Sequence, residues 1–228
     1  MVDIKVVKNV LKLNDEVAAI NRQALREHRI ACIDLMGSPG AGKTALLETT
    51  LDRLREDLNV GVITGDIATT RDAERLAHRA CDVTQINTGG SCHLDANQVR
   101  QGMANLNLDT LDLLIIENVG NLICPIGFDL GQSAKVGMFS VPEGEDKPAK
   151  HPRVVLECDL LLLNKIDLMP HIPFDHDVFM RDLHAIRGDA RLIELSAVRG
   201  GTGFDAWCEW LRGLVAQAKA EGLASAPA

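Results

Sequence analysis

The run Gly37-Ser38-Pro39-Gly40-Ala41-Gly42-Lys43-Thr44 follows the pattern G-x-x-x-x-G-K-[ST] between an apolar stretch and an amphipathic one. Glycines let the backbone fold tightly enough for successive N–H groups to face phosphate oxygens, and a following helix adds the positive end of its dipole. Lys43 then serves the β- and γ-phosphates, and the Thr44 hydroxyl is a ligand for Mg²⁺. A second run, Asn164-Lys165-Ile166-Asp167, selects the base. The Asp167 carboxylate can accept from both the ring N–H and the exocyclic amine of guanine, whereas adenine offers no such donor pair in that geometry. Asn164 braces the loop, the stem of Lys165 can lie over the purine, and the backbone N–H groups of Ser196-Ala197 suit the guanine oxygen. Alone, each short run is common on protein surfaces. Together they point to GTP and GDP rather than adenine nucleotides.

Between these runs lie two carboxylates at the ends of apolar stretches. Asp66 closes Gly65-Asp66, and Glu117-Asn118-Val119-Gly120 occupies the place where GTPases usually carry Asp-x-x-Gly. Such strand-end acids are placed to hold Mg²⁺ directly or through water, and Gly120 can give its N–H to the γ-phosphate. Asn121 follows Gly120 where small signalling GTPases carry a water-orienting Gln. Slow intrinsic hydrolysis is therefore expected, with Lys43, Glu117 and Asp66 as the catalytic set and Asp66 positioning the attacking water.

Softer donors stand apart from these. Cys92-His93 follows Thr88-Gly89-Gly90-Ser91, and Cys124 precedes Pro125. Two thiolates and an imidazole suit Zn²⁺ or Ni²⁺ far better than a hard ion. Three ligands leave a tetrahedral site incomplete, and a two-fold interface between copies is a natural way to close it. From the residues alone, Cys92 and Cys124 as small loop residues and His93 as a surface histidine remain an open alternative. Cys32, Cys81, Cys158 and Cys208 lie in or beside apolar segments and read as packing residues, and His151, His171, His176 and His184 as surface histidines.

The set formed by Gly37 to Thr44, Gly65-Asp66, Cys92-His93-Leu94-Asp95, Glu117 to Leu122, Cys124-Pro125 and Asn164 to Asp167 resembles the HypB family. These are hydrogenase nickel incorporation GTPases of the SIMIBI class of P-loop NTPases. The resemblance covers nearly the whole chain, and Glu-Asn-Val-Gly-Asn-Leu followed by Cys-Pro is its most specific part. It implies a GTP-dependent homodimer with Ni²⁺ or Zn²⁺ at the interface through Cys92, His93 and Cys124. It also implies delivery of nickel to a hydrogenase large-subunit precursor with a HypA-type partner. One departure stands out: many members carry an N-terminal cysteine motif and a His-rich stretch, whereas here no Cys precedes Cys32 and no His precedes His28. Only the metal site of the GTPase domain is therefore expected. Rival readings are a urease-type nickel GTPase, which joins its Cys and His through a Pro, and a cobalamin-enzyme chaperone without this ligand set. A metal-free GTP-dependent interaction switch and a metabolic P-loop kinase are more distant.

The elements that must position these residues form a repeating pattern. Apolar strand candidates run over 30–36, 60–64, 83–86, 111–116, 135–141, 160–163 and 191–195, separated by amphipathic segments such as Thr44 to Asp57. Nearly all-apolar strands are covered on both faces. The expected architecture is α/β, a P-loop NTPase fold with a mostly parallel sheet of about seven strands and helices on both sides. One domain is expected over residues 1–228, with an N-terminal helix at about 10–28, a long surface loop at Val141 to Pro152 and a short flexible tail at about 223–228. Composition agrees: 46% hydrophobic and 25% charged residues suit a globular chain, and a net charge of −8 is the wrong sign for a nucleic-acid binder. With no Tyr, two Trp and five Phe, little is available to stack on bases. No apolar run reaches the ~20 residues needed to span a bilayer, and no signal peptide is evident, so a cytoplasmic protein with neither nucleic-acid nor membrane partners is expected.

Overall fold

Every strand of the central sheet runs parallel to its neighbours, in the order β3-β2-β4-β1-β5-β6-β7. In chain order these are β1 (Ala31–Gly37), β2 (Val60–Asp66), β3 (Asp82–Asn87), β4 (Leu113–Glu117), β5 (Ala134–Ser140), β6 (Leu160–Asn164) and β7 (Leu192–Glu194). The helices are α1 (Val10–Glu27), α2 (Lys43–Leu54), α3 (Arg71–Leu76), α4 (Ala96–Met103), α5 (Lys147–Lys150), α6 (Pro152–Glu157), α7 (His176–Ile186) and α8 (Thr202–Ala224). This computed structural model describes residues 10–66 and 71–224. Most of the N-terminal Met1–Leu13 stretch falls outside them.

Alternation along β1 sorts the core into two faces, because successive strand side chains point to opposite sides. Ile33 and Leu35 pack with Leu47 and Leu51 of α2 and with Trp207 and Leu211 of α8. On the other face, Cys32 lies with Leu25 of α1 and Val99 of α4, while Met36 lies with Phe139, Val155 of α6 and Phe179 of α7. Each fully buried large apolar side chain contributes about 1.5–3 kcal/mol. The buried Trp207 indole also donates to Thr50 Oγ1 at 2.9 Å, fastening α8 to the helix that follows the phosphate turn.

All seven expected strands are present, with two shifts that matter. β2 extends through Gly65 and Asp66, which pair with Ile86 and Asn87 of β3, so Asp66 sits on paired backbone. β4 begins only at Leu113, because Leu111 closes a 3₁₀ turn over Leu108–Thr110, its N–H donating to the Leu108 carbonyl. The segment expected as a surface loop, Val141 to Pro152, is instead largely helical: a 3₁₀ turn at Val141–Glu143, then α5, then the start of α6. Its three prolines each stand in a first turn, where a missing N–H costs nothing. At the other end, α8 includes Leu223 and Ala224, and the rest of the expected tail lies outside the described residues. Among the described residues no helix is long and apolar enough to cross a membrane.

Candidate functional site

Strand ends collect the chemistry. β1 lies between β4 and β5, and the turn that leaves it, Gly37 to Thr44, opens directly into α2. Gly40 and Gly42 have φ of +77° and +102°, a region other residues enter only with strain. A Cβ on Gly42 would stand 2.6 Å from Asn164 Nδ2, so glycine is required there on two counts. Lys43 is buried, with Nζ donating to the Gly37 carbonyl at 3.0 Å.

Thr44 Oγ1 donates to Glu117 Oε1 at 2.8 Å, uniting the start of α2 with the end of β4. Asp66, Lys43, Thr44, Glu117 and Gly120 all border one cavity of about 490 Å³. A hydroxyl and a carboxylate so close, with a second carboxylate on the same wall, form the hard oxygen set that Mg²⁺ takes, so these residues fit that ion.

The run Asn164 to Asp167 is joined to the turn Gly37 to Thr44 through Asn164. Its Nδ2 donates to the Ala41 carbonyl at 2.9 Å, and its Oδ1 accepts from the Ala197 N–H at 3.0 Å. One buried side chain thus ties the phosphate turn, the end of β6 and the Ser196-Ala197 turn together. Lys165 adopts a left-handed backbone conformation, φ 62°, which brings Nζ to the Gly40 carbonyl at 2.6 Å. Asp167 follows in a partly exposed 3₁₀ turn, and Ser196 Oγ accepts from the Arg199 N–H at 3.1 Å.

The soft donors gather at the neighbouring strand ends. The thiols of Cys92 and Cys124 are in hydrogen-bond contact, and Asn121 also bonds to Cys92. His93 Nδ1 lies 3.6 Å from Cys92 Sγ, and the imidazole rests on Phe128 with centroids 4.0 Å apart. The bond with Cys124 raises the pKa of the Cys92 thiol, with burial adding to it, and burial lowers that of His93. Among the described residues, no three His, Cys, Asp or Glu side chains form a ready-made cage for a metal. Three of the other cysteines are packing residues as expected: Cys32, Cys158 and Cys208 are buried, their thiols pushed up by burial. Cys81 departs from that expectation and is exposed, just before β3.

Asn118 joins the two regions. Its Oδ1 accepts from the Leu94 N–H and the Val119 N–H, both at 3.0 Å, and its Nδ2 donates to Asp34 Oδ1 at 3.0 Å. Asp34 is fully buried in β1, and burial pushes its carboxyl up to about 7 against the opposing pull of Asn118 and Lys135. The Cys92-His93 loop is held from its far side too. Asp95 caps α4 in a capping box with Gln98, and Asn14 and Asn21 of α1 bond the Ala96 N–H and carbonyl. Those asparagines also hold the Asp129 and Leu130 carbonyls, in the segment that follows Cys124 and Pro125 in the chain. Asp34, Asn14 and Asn21 escape a sequence reading because their partners are far along the chain, the Asn118 amide for Asp34 and backbone atoms for the two asparagines. A lone Asp inside the apolar run Ile33 to Met36 was the one available signal.

A parallel sheet with a glycine-rich turn after a central strand, a hydroxyl–carboxylate pair beside it and an Asn-Lys-x-Asp run at the end of β6, two strands away, defines a P-loop nucleotide-binding protein of the GTPase type. Residues 31–194 match the family model described as CobW/HypB/UreG, nucleotide-binding domain. The hydrogenase maturation factor HypB of Azotobacter vinelandii is 42% identical, covering 91% of this chain and 68% of that one. The crystal structure of HypB from Archaeoglobus fulgidus is 38% identical, with a TM-score of 0.83 over 90% of this chain and 100% of that one. HypB from Helicobacter pylori, crystallised in complex with nickel, is 31% identical, with a TM-score of 0.85 over 90% and 96%. The chain belongs to the CobW/HypB/UreG family and, within it, to the HypB proteins.

Proposed function

We propose that this chain is a GTP-hydrolysing metallochaperone that binds Ni²⁺ or Zn²⁺ at a nucleotide-coupled dimer interface. In this reading it delivers nickel, in the cytoplasm, to a [NiFe]-hydrogenase large-subunit precursor together with a HypA-type partner. The nickel complex of the Helicobacter pylori relative supports the metal part of the reading. The observation that carries it is the Asn118 bridge between the loop of Cys92-His93 and the element Glu117–Gly120.

Phosphates bind to the amides of residues 37–44 and to Lys43. Thr44 and Glu117, with Asp66 nearby, hold Mg²⁺, which neutralises phosphate charge when bound. Gly120 offers its N–H to the γ-phosphate, and Asp66 orients the attacking water. With Asn121 in place of a water-orienting Gln, turnover is slow. Asp167 reads guanine while Asn164 and Lys165 hold its loop against the phosphate turn. The transported metal is taken by Cys92, His93 and Cys124, and a second copy of the chain completes its coordination. A shift of Val119-Gly120 toward a γ-phosphate pulls on Asn118 and, through it, on the loop of Cys92.

Titrating Ni²⁺ and Zn²⁺ into the GDP-bound and GTP-analogue-bound protein, with mass followed alongside, tests this. Metal affinity or stoichiometry should change together with dimerisation in the GTP-analogue state. Identical values in both states remove the coupling. Cys92→Ala and Cys124→Ala should lose metal while keeping GTP hydrolysis, and unchanged metal binding removes the metallochaperone reading.

A further inference from the structure

The nucleotide cavity has one wall that the motifs do not account for. Arg75 of α3 borders it together with Lys43, Thr44, Asp66, Glu117 and Gly120. Its guanidinium grips Glu48 of α2 from two positions, Nε to Oε1 at 3.2 Å and Nη2 to Oε2 at 2.6 Å. Glu48 is shared: Arg79 Nη1 reaches the same Oε1 at 3.3 Å while donating to the Arg75 carbonyl at 2.8 Å. Arg79 is anchored separately to Asp52 at 3.1 Å. If the Arg75 guanidinium moves off, Glu48 therefore keeps a cationic partner.

The Arg75 side chain is 47% exposed, so water competes for its guanidinium and its release from Glu48 does not uncover a buried charge. Charge supplies the motive. Two carboxylates, Asp66 and Glu117, share the cavity wall with the single P-loop ammonium of Lys43, and a nucleoside triphosphate adds several negative charges. During hydrolysis the bond between the γ-phosphorus and the β,γ-bridging oxygen breaks and a water oxygen bonds to that phosphorus. The products are GDP, inorganic phosphate and a proton. Negative charge spreads over the γ-phosphoryl oxygens on the way, where a planar guanidinium is the most suitable donor.

We propose that Arg75 exchanges Glu48 for the γ-phosphoryl group of GTP bound to the same chain and stabilises its transfer to water, an arginine supplied in cis from α3. This rests on the GTP-hydrolysing reading above. Its test is single-turnover hydrolysis by the full chain with Mg²⁺, alongside affinity for fluorescent GDP and formation of the fluoroaluminate complex of Mg·GDP. Arg75→Ala should slow hydrolysis about a hundredfold or more and abolish the fluoroaluminate complex, with GDP affinity and melting temperature nearly unchanged. Arg75→Lys should recover only part of the rate, and Arg79→Ala should stay within about twofold of the parent. Hydrolysis by Arg75→Ala within threefold of the parent, or a loss matched by equal losses of GDP affinity and thermal stability, overturns the assignment. A parent that binds GDP yet neither hydrolyses GTP nor forms the fluoroaluminate complex overturns the hydrolytic reading itself. An Arg75→Ala chain forming that complex as well as the parent overturns Arg75 alone.

Discussion

Asn118 Oδ1 accepts the Leu94 N–H at 3.0 Å, so the residue after the Cys92-His93 pair hangs from the residue after Glu117. Because Asn118 is buried, each of its bonds lies away from competing water. Removing the side chain leaves the Leu94 N–H and Asp34 Oδ1 short of partners in the interior. Asn118→Ala should destabilise the fold by about 1–3 kcal/mol and erase any difference in Ni²⁺ affinity between GDP and GTP-analogue states. Calorimetric titration of the variant checks this, and an undiminished difference would rule out the bridge as the coupling element.

Asp34 supplies a pH dependence whose sign can be worked out. Its carboxyl titrates near 7 in the fold, through burial, against about 3.9 in an unfolded chain. Between those values the folded chain holds a proton that the unfolded chain releases. Its stabilising contribution is thus full below about pH 4 and declines as pH rises toward 7 and above. Asp34→Asn keeps an acceptor for Asn118 and cannot ionise. It should gain stability relative to the parent as pH rises, by at most roughly 4 kcal/mol at pH 8. Urea denaturation of both chains at pH 5 and pH 8 measures the gain, and an equal difference at the two values would refute it.

At the base site, Asp167→Asn should lower GTP affinity by about 10–100-fold, the loss of a charged two-point hydrogen bond. The amide can now donate, which suits xanthine, whose 2-oxygen accepts where guanine's amine donates. Competition between GTP and xanthosine triphosphate for the variant should show reversed preference.

Gly42→Ala combines a positive φ with a 2.6 Å approach to Asn164 Nδ2. Relieving the clash would push Asn164 off the Ala41 carbonyl. Binding of fluorescent GDP should be lost, with a stability cost of about 1–3 kcal/mol. Retained nucleotide affinity would show that the turn tolerates a different path.

Much of the site was legible because its parts are local. The run Gly37 to Thr44 and the run Asn164 to Asp167 carry their geometry in consecutive residues, and glycine positions report required backbone conformations directly. The region Val141 to Pro152 differs from its sequence expectation for a related reason. Three prolines suggest a loop when counted by composition, yet each is compatible with the first turn of a helix, and burial of Val141 and Pro148 settles the matter.

Nearly continuous apolar strand runs and the helical stripes between them were enough to determine a parallel sheet covered on both sides. They also determined that the phosphate turn must follow a strand and open a helix. Tertiary structure alone decided which strand ends are neighbours. Only the order β3-β2-β4-β1-β5 brings Glu117 to Thr44 and Arg75 to the nucleotide cavity. The folded chain likewise brings the thiol of Cys124 to that of Cys92. The physical reason is that a buried polar side chain such as Asn118 or Asn164 takes its partners from whatever backbone packing delivers. For Asn164 that partner is 123 residues away, beyond the reach of any local pattern.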